Sequence, residues 1–195
     1  MTGQDEEFMR ETDAFSWYME SDPALRATIV AVAWLDKSPD WDTLVDRLER
    51  ATRLVPTFRQ RPVEPPGRLA TPRWTLDPDF DLSWHLRRVG CPPPHTPDTV
   101  LEMGRVLAMA GFDTAHPLWE FTVVEGLAGG GAAMLMKVHH SLTDGIGGMQ
   151  LLLTLFDTDA NPPAQGAIPE PPVDTEEGTA ELVTASILHN GSQPI

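Results

Sequence analysis

Apolar and polar positions recur along this chain with several different periods, and each period predicts an element. Residues 26–35 (RATIVAVAWL) are β-branched and apolar and read as a buried strand. Pro39 and Asp40 then open a helix in which Trp41, Leu44, Val45, Leu48 and Ala51 recur at helical spacing, ending before Pro56. Residues 13–20 predict a short helix with Asp13 as its N-cap. Val100, Met103, Val106, Leu107 and Ala110 mark a helix over 98–110, with Gly111 as its C-terminal cap. Between these, residues 58–88 mix prolines with short apolar pieces and predict strands near 58–63, 73–76 and 84–89. CPPPHTP (91–97) is a loop by composition. Residues 119–127 and 132–139 predict two strands joined as a hairpin across Gly129, Gly130 and Gly131. A helix is expected from Asp144 through Met149, Leu152, Leu153 and Phe156.

The pattern then changes. Residues 158–178 are Pro-rich, acidic and aperiodic, as in a linker. Residues 179–189 read as one more helix, with no obvious partner for its apolar face. The expected organisation is a domain over 1–157, a linker over 158–178 and a further segment over 179–195. Alternating helices and strands predict an α/β fold, an α+β two-layer sandwich.

Charge narrows the function classes. The chain carries 29 acidic and 14 basic residues, a net −15, and no Lys or Arg follows Lys137. Such a chain repels nucleic-acid phosphates and anionic headgroups, which argues against nucleic acid as a partner. Cys91 is the one cysteine, so no intrachain disulfide is expected. The polar, acidic N-terminus does not resemble a signal peptide. The longest apolar stretch, near 146–156, falls short of the roughly 20 residues a membrane span needs. A cytoplasmic protein is expected, soluble or peripheral to a membrane.

Chemistry concentrates in Lys137-Val-His-His-Ser-Leu-Thr-Asp-Gly-Ile-Gly-Gly148. An apolar strand runs into two histidines, and Asp144 and Gly145 follow before the expected helix. Successive strand residues point to opposite faces, so His139 and His140 should diverge. One can face a cleft while the other packs behind it. Imidazole accepts and returns a proton near neutral pH, and the unpaired N–H groups of a helix start favour nearby negative charge. Asp144 would cap the helix or pair with a cation, and Gly145 would serve the turn. Metal binding is not expected. His140 and Asp144 lack a third ligand at a telling spacing, and His85, His95, His116 and Cys91 are scattered. Ser141 lacks the G-x-S-x-G setting of an exposed nucleophile.

His139-His140-Ser141-Leu142-Thr143-Asp144-Gly145 resembles the HHxxxDG motif of the CoA-dependent acyltransferase superfamily. Pro117-Leu118-Trp119-Glu120 resembles the PLW motif of the bacterial wax ester synthase/diacylglycerol acyltransferase family. Phe58-Arg59-Gln60-Arg61, Trp74, Phe80-Asp81-Leu82, His85, Asp13-Ala14-Phe15 and Ile146-Gly147-Gly148 resemble other parts of its N-terminal pattern, in the same order. The likeness spans about residues 10–160. Residues 112–116 (FDTAH) lack arginines that members often carry there, which bears on substrate preference.

The resemblance implies a chloramphenicol acetyltransferase-like domain, one half of a two-domain fold with a tunnel between the halves. It implies acyl-CoA as donor substrate, with no separate cofactor, and a diacylglycerol or fatty alcohol as acceptor. His140 would be the general base, with His139, Asp144 and Gly145 supporting it. Pro117, Leu118 and Trp119 would line substrate, although core packing explains their apolar character equally well. Arg59 and Arg61 could meet CoA phosphates or pair structurally. The chain stops at Ile195, where the crossover to a second half is expected to end. A missing C-terminal half is therefore an expected partner, as is peripheral contact with a membrane or lipid droplet. An inactive half serving as an interaction module, and a condensation-like or small-alcohol acyltransferase, are the alternatives.

Overall fold

A computed structural model describes residues 8–65, 67, 70–142 and 166–172. In chain order these form α1 (Glu11–Met19), β1 (Thr28–Leu35), α2 (Trp41–Leu54), a 3-10 turn (Pro56–Arg59), β2 (Gln60–Val63), β3 (Arg73–Leu76), the single helical turn α3 (Leu82–His85), β4 (Leu86–Gly90), α4 (Pro97–Met109), β5 (Trp119–Glu125), β6 (Ala132–His139) and a 3-10 turn (His140–Leu142).

The mixed α/β architecture matches expectation. A sheet in the order β1-β6-β5-β4 forms the centre, with β4 parallel to β5 and the other pairings antiparallel. The β5–β6 hairpin turns through Gly126, Gly129 and Gly130, all at positive φ (78°, 92° and 88°), where a side chain would strain the backbone. β2 and β3 pair separately, and Phe8 bridges to Arg73 beside them.

Strand alternation sorts the core onto two faces. Trp119, Phe121 and Val123 of β5, with Met134 and Met136 of β6, pack against Leu44, Leu48 and Ala51 of α2. Val124, Ala133 and Leu135 pack with Val100, Met103 and Leu107 of α4. Gly104 of α4 faces the sheet, where a Cβ would lie at ordinary contact distance, 3.6 Å from Leu135 Cδ2 and 3.8 Å from Val30 Cγ1. Asp40 caps α2 as its position predicts, its Oδ1 accepting from the Thr43 N–H at 2.9 Å.

Three local expectations change. α1 begins after Arg10, not at Asp13, because the Met9 N–H donates to the Pro72 carbonyl (2.7 Å) and fixes where the chain enters. Among the described residues β1 lies at the edge of the sheet and is not buried: Ile29 and Trp34 face solvent. Gly111 is not a left-handed cap. α4 ends at an extended Ala110, and Arg26 Nη1 covers the Met109 carbonyl (2.9 Å). Of the six tryptophans only Trp119 is fully buried, while Trp34 and Trp84 are about half exposed.

The expected helices over 144–156 and 179–189 lie outside the described residues, as does most of the linker. Its described part, 166–172, has no regular secondary structure and crosses α2. Arg50 donates to the Gly166 and Ala167 carbonyls, and Arg53 to Pro169.

Candidate active site

β6 is a central strand, and its two neighbours hold its end. The His139 N–H donates to the Leu118 carbonyl at 3.0 Å on one side, and the His140 N–H to the Ala27 carbonyl at 2.8 Å on the other. The chain then tightens into the 3-10 turn. The two histidines diverge as alternation requires: His139 is 0 % exposed and His140 is exposed.

His139 is held on every side. Its Nδ1 accepts from the Ser141 backbone N–H (3.1 Å) and faces Ser141 Oγ at 2.7 Å. Its Nε2 lies 3.3 Å from Glu20 Oε2. Trp17 and Phe112 meet the ring edge-on, at centroid distances of 6.2 and 5.9 Å. Burial, with the neighbouring His140 adding a smaller push, lowers its pKa from 6.5 to about 4. The ring is therefore neutral at neutral pH, and its Nε2 stands opposite the Glu20 carboxylate without hydrogen-bond alignment.

Around it lies a partly buried set of charges that sequence reading missed. Glu20, just past the end of α1, points into the fold. Burial raises its pKa, against the lowering pull of Arg26, Lys137 and the backbone N–H groups of Ala27 and Phe112. Lys137, 1 % exposed, donates to the Gly111 carbonyl (3.0 Å) and Glu120 (3.2 Å), and lies 4.0 Å from the Phe112 ring centroid. A cleft of about 250 Å³ opens beside this set, lined by Trp17, Glu20, Arg26, Gly111 and Phe112 among others. In the sequence Glu20 is one acid among many. Lys137 gave the sharper signal, because a lysine inside an otherwise apolar strand requires a buried partner.

The remaining predicted residues separate. Asp144 and Gly145 lie outside the described residues. Pro117, Leu118 and Trp119 are buried at the start of β5. The Trp119 indole donates to the Phe58 carbonyl (2.8 Å) and stacks on His85 (4.6 Å). Pro117 and Trp119 also border a small recess with Trp84 and His116. His85 Nδ1 meets the Trp119 carbonyl (2.8 Å), and burial lowers its pKa. His116 pairs with Asp77 (2.8 Å). Arg59 is committed to Glu49 (2.5 Å), to Thr52 (3.0 Å) and to the Phe80 ring, which gives it a structural role. Ser141, His139 and Glu20 have the connectivity of a serine triad, but Ser141 is only 5 % exposed and its own backbone N–H already uses His139 Nδ1. It cannot serve as an exposed nucleophile. Among the described residues, no three His, Cys, Asp or Glu side chains are grouped to hold a metal ion, and no helix is long and apolar enough to cross a membrane.

Comparison with known proteins supplies the wider context. Residues 9–193 match the model of the wax ester synthase/diacylglycerol acyltransferase catalytic domain. A Mycobacterium tuberculosis (strain H37Rv) protein named as a diacylglycerol O-acyltransferase is 42% identical over 152 residues, covering 78% of this chain and 31% of the relative. A second protein of that strain, with the same kind of name, is 32% identical over 190 residues, covering 94% and 37%. The chain thus spans about a third of the length of these curated relatives. Among solved structures, the wax ester synthase/diacylglycerol acyltransferase of Marinobacter aquaeolei VT8 superposes with a TM-score of 0.59 at 27% identity, covering 73% of this chain and 36% of that one. A starter condensation domain of rhizomide synthetase superposes with a TM-score of 0.61 over 76% of this chain and 36% of that one, at 12% identity, a likeness of fold alone. By the match of its family model across nearly the whole sequence, the chain belongs to the wax ester synthase/diacylglycerol acyltransferase family.

Proposed function

We propose that this chain carries the motif-bearing part of an acyl-CoA-dependent O-acyltransferase, with His140 as general base. The donor is a long-chain acyl-CoA, a substrate rather than a resident cofactor. The acceptor is a diacylglycerol or a fatty alcohol, giving a triacylglycerol or a wax ester. The observation that carries this reading is the division of the histidine pair at the end of β6. One imidazole is exposed, and the other is buried, neutral and already bonded.

The step balances without a covalent enzyme intermediate. The His140 imidazole takes the acceptor's hydroxyl proton while that oxygen attacks the thioester carbonyl. The carbon–sulfur bond then breaks, an ester forms, and the imidazolium returns its proton to the departing CoA thiolate. His139 takes no proton in this scheme; it holds the turn. Asp144 and Gly145 support the base in this scheme, and Pro117, Leu118 and Trp119 shape the wall beside the site. The remainder of a family-length protein, or a second chain, supplies the opposite wall, and peripheral contact with a lipid surface delivers the apolar acceptor.

Product analysis tests the reading. The purified chain, alone and together with the C-terminal part of a full-length family member, is incubated with palmitoyl-CoA and either hexadecanol or a diacylglycerol. Mass spectrometry of the lipid extract should find a wax ester or a triacylglycerol. Free palmitate without ester would mean a hydrolase, and no product in any arm would count against acyl transfer.

A further inference from the structure

We propose that Glu20 is a positioning residue for acyl transfer: it selects the tautomer of His139 and thereby holds the turn that presents His140. The inference rests on the reading of His140 as the base, and it adds a residue from a distant part of the chain.

The argument begins with hydrogen-bond arithmetic. A neutral imidazole has one ring nitrogen that donates and one that accepts. His139 Nδ1 receives the Ser141 backbone N–H at 3.1 Å and lies 2.7 Å from the Ser141 hydroxyl, which can donate to the same nitrogen, and this pairing assigns the lone pair to Nδ1. The ring proton is on Nε2, and Nε2 faces Glu20 Oε2 at 3.3 Å. Neither atom has a well-aligned hydrogen-bond partner. Catalytic contacts in resting enzymes are often this loose and tighten in the reacting complex.

The consequence passes through the backbone. Ser141 is the middle residue of the 3-10 turn that starts at His140. If the proton moved to Nδ1 it would turn to Ser141 Oγ, and the bond from the Ser141 backbone N–H would break. That bond links the buried histidine to the turn carrying the exposed one. Glu20 disfavours the move because its carboxylate accepts only from an Nε2 that bears hydrogen. Trp17 and Phe112 flank the ring, so the remaining route to a donor mismatch is the proton rather than a rotation.

Glu20 is itself held by charge. Arg26 Nε stands 3.5 Å from its Oε1, and Lys137 lies nearby on Phe112 and Glu120. Among the described residues, His140 is the other titratable neighbour of His139. Gly111 leaves room for this packing: a Cβ there would stand 3.2 Å from Arg26 Nη2.

The test reads the proton directly. Proton–nitrogen correlation spectra of the histidine side chains are recorded for the full chain as wild type, Glu20→Gln, Glu20→Ala and Glu20→Met. The Gln oxygen still accepts from Nε2–H. Met fills the space without an acceptor and guards against collapse of the Ala variant. The wild type and Glu20→Gln should show His139 protonated at Nε2, whereas Glu20→Ala and Glu20→Met should show a mixed or Nδ1-protonated ring. An unchanged Nε2–H signature in folded Glu20→Met overturns the proposal. In turnover assays, Glu20→Met should lower kcat roughly 10–100-fold, the scale of a small misplacement of catalytic groups, with KM for acyl-CoA little changed. Glu20→Gln should recover most of that loss. His140→Ala is run alongside. If it abolishes turnover while Glu20→Met does not lower it, the positioning role fails and the base stands. If His140→Ala retains turnover, the base reading fails, and the spectra alone decide whether Glu20 sets the tautomer.

Discussion

Replacing His139 with Asn removes a buried imidazole while leaving a side-chain oxygen able to accept from Ser141. The structure fixes what this does to the pH dependence of folding. Burial lowers the His139 pKa from 6.5 to about 4. Between those values the unfolded chain binds a proton that the folded chain refuses. Stability from this group is therefore full above pH 6.5, falls as pH drops toward 4, and levels off below. At 1.36 kcal/mol per pH unit the whole effect is about 3 kcal/mol, of which about 2 kcal/mol is lost between pH 7 and pH 5. Glu20 acts in the opposite direction, since its raised pKa adds stability as pH falls, but it is present in both proteins and cancels to first order. The assay is urea unfolding of wild type and His139→Asn at both pH values, taking the difference of differences. The wild type should lose about 2 kcal/mol more than the variant on acidification. Equal losses would refute burial of a neutral ring. A smaller loss in the wild type would mean that His139 is folded as a cation paired with Glu20.

Four further outcomes follow from the packing. Trp119→Ala should destabilise by about 3–5 kcal/mol in chemical denaturation, because it empties a fully buried site and orphans the Phe58 carbonyl. Glu49→Ala should lose about 1–2 kcal/mol, since one carboxylate serves both Arg53 and Arg59 in a half-buried setting. Gly104→Ala should be neutral or raise stability by up to about 1 kcal/mol, because the added methyl meets Leu135 and Val30 at ordinary contact distance and alanine favours the helix. Gly104→Leu should lower the melting temperature by forcing α4 away from the sheet.

What the sequence made legible follows from the range of the forces involved. The cap at Asp40, the β5–β6 hairpin and the divergence of His139 from His140 each depend on residues within a few positions of one another. Local periodicity therefore predicts them. The entry of α1 does not, since it is set by a bond from Met9 to Pro72. An apolar run such as β1 reads alike at the centre or the edge of a sheet, and only the pairing order separates the two. Gly111 has the composition of a cap but serves the approach of Arg26. The charges around His139 were the least visible, because Glu20, Arg26 and Lys137 meet only through the tertiary fold. The family was legible from HHxxxDG and the ordered fragments upstream, but the residue that holds the first histidine of that motif was not.

The central claim is that His140 removes the acceptor's proton, and acceptor-dependent release of CoA thiol tests it most directly. Wild type and His140→Ala, each verified as folded, are mixed with palmitoyl-CoA, with and without a diacylglycerol or hexadecanol, both alone and with the C-terminal part of a family member. Release that requires the acceptor in the wild type, and falls by about 10²–10⁴-fold in His140→Ala, is the predicted result. Equal acceptor-dependent release from both proteins would contradict it.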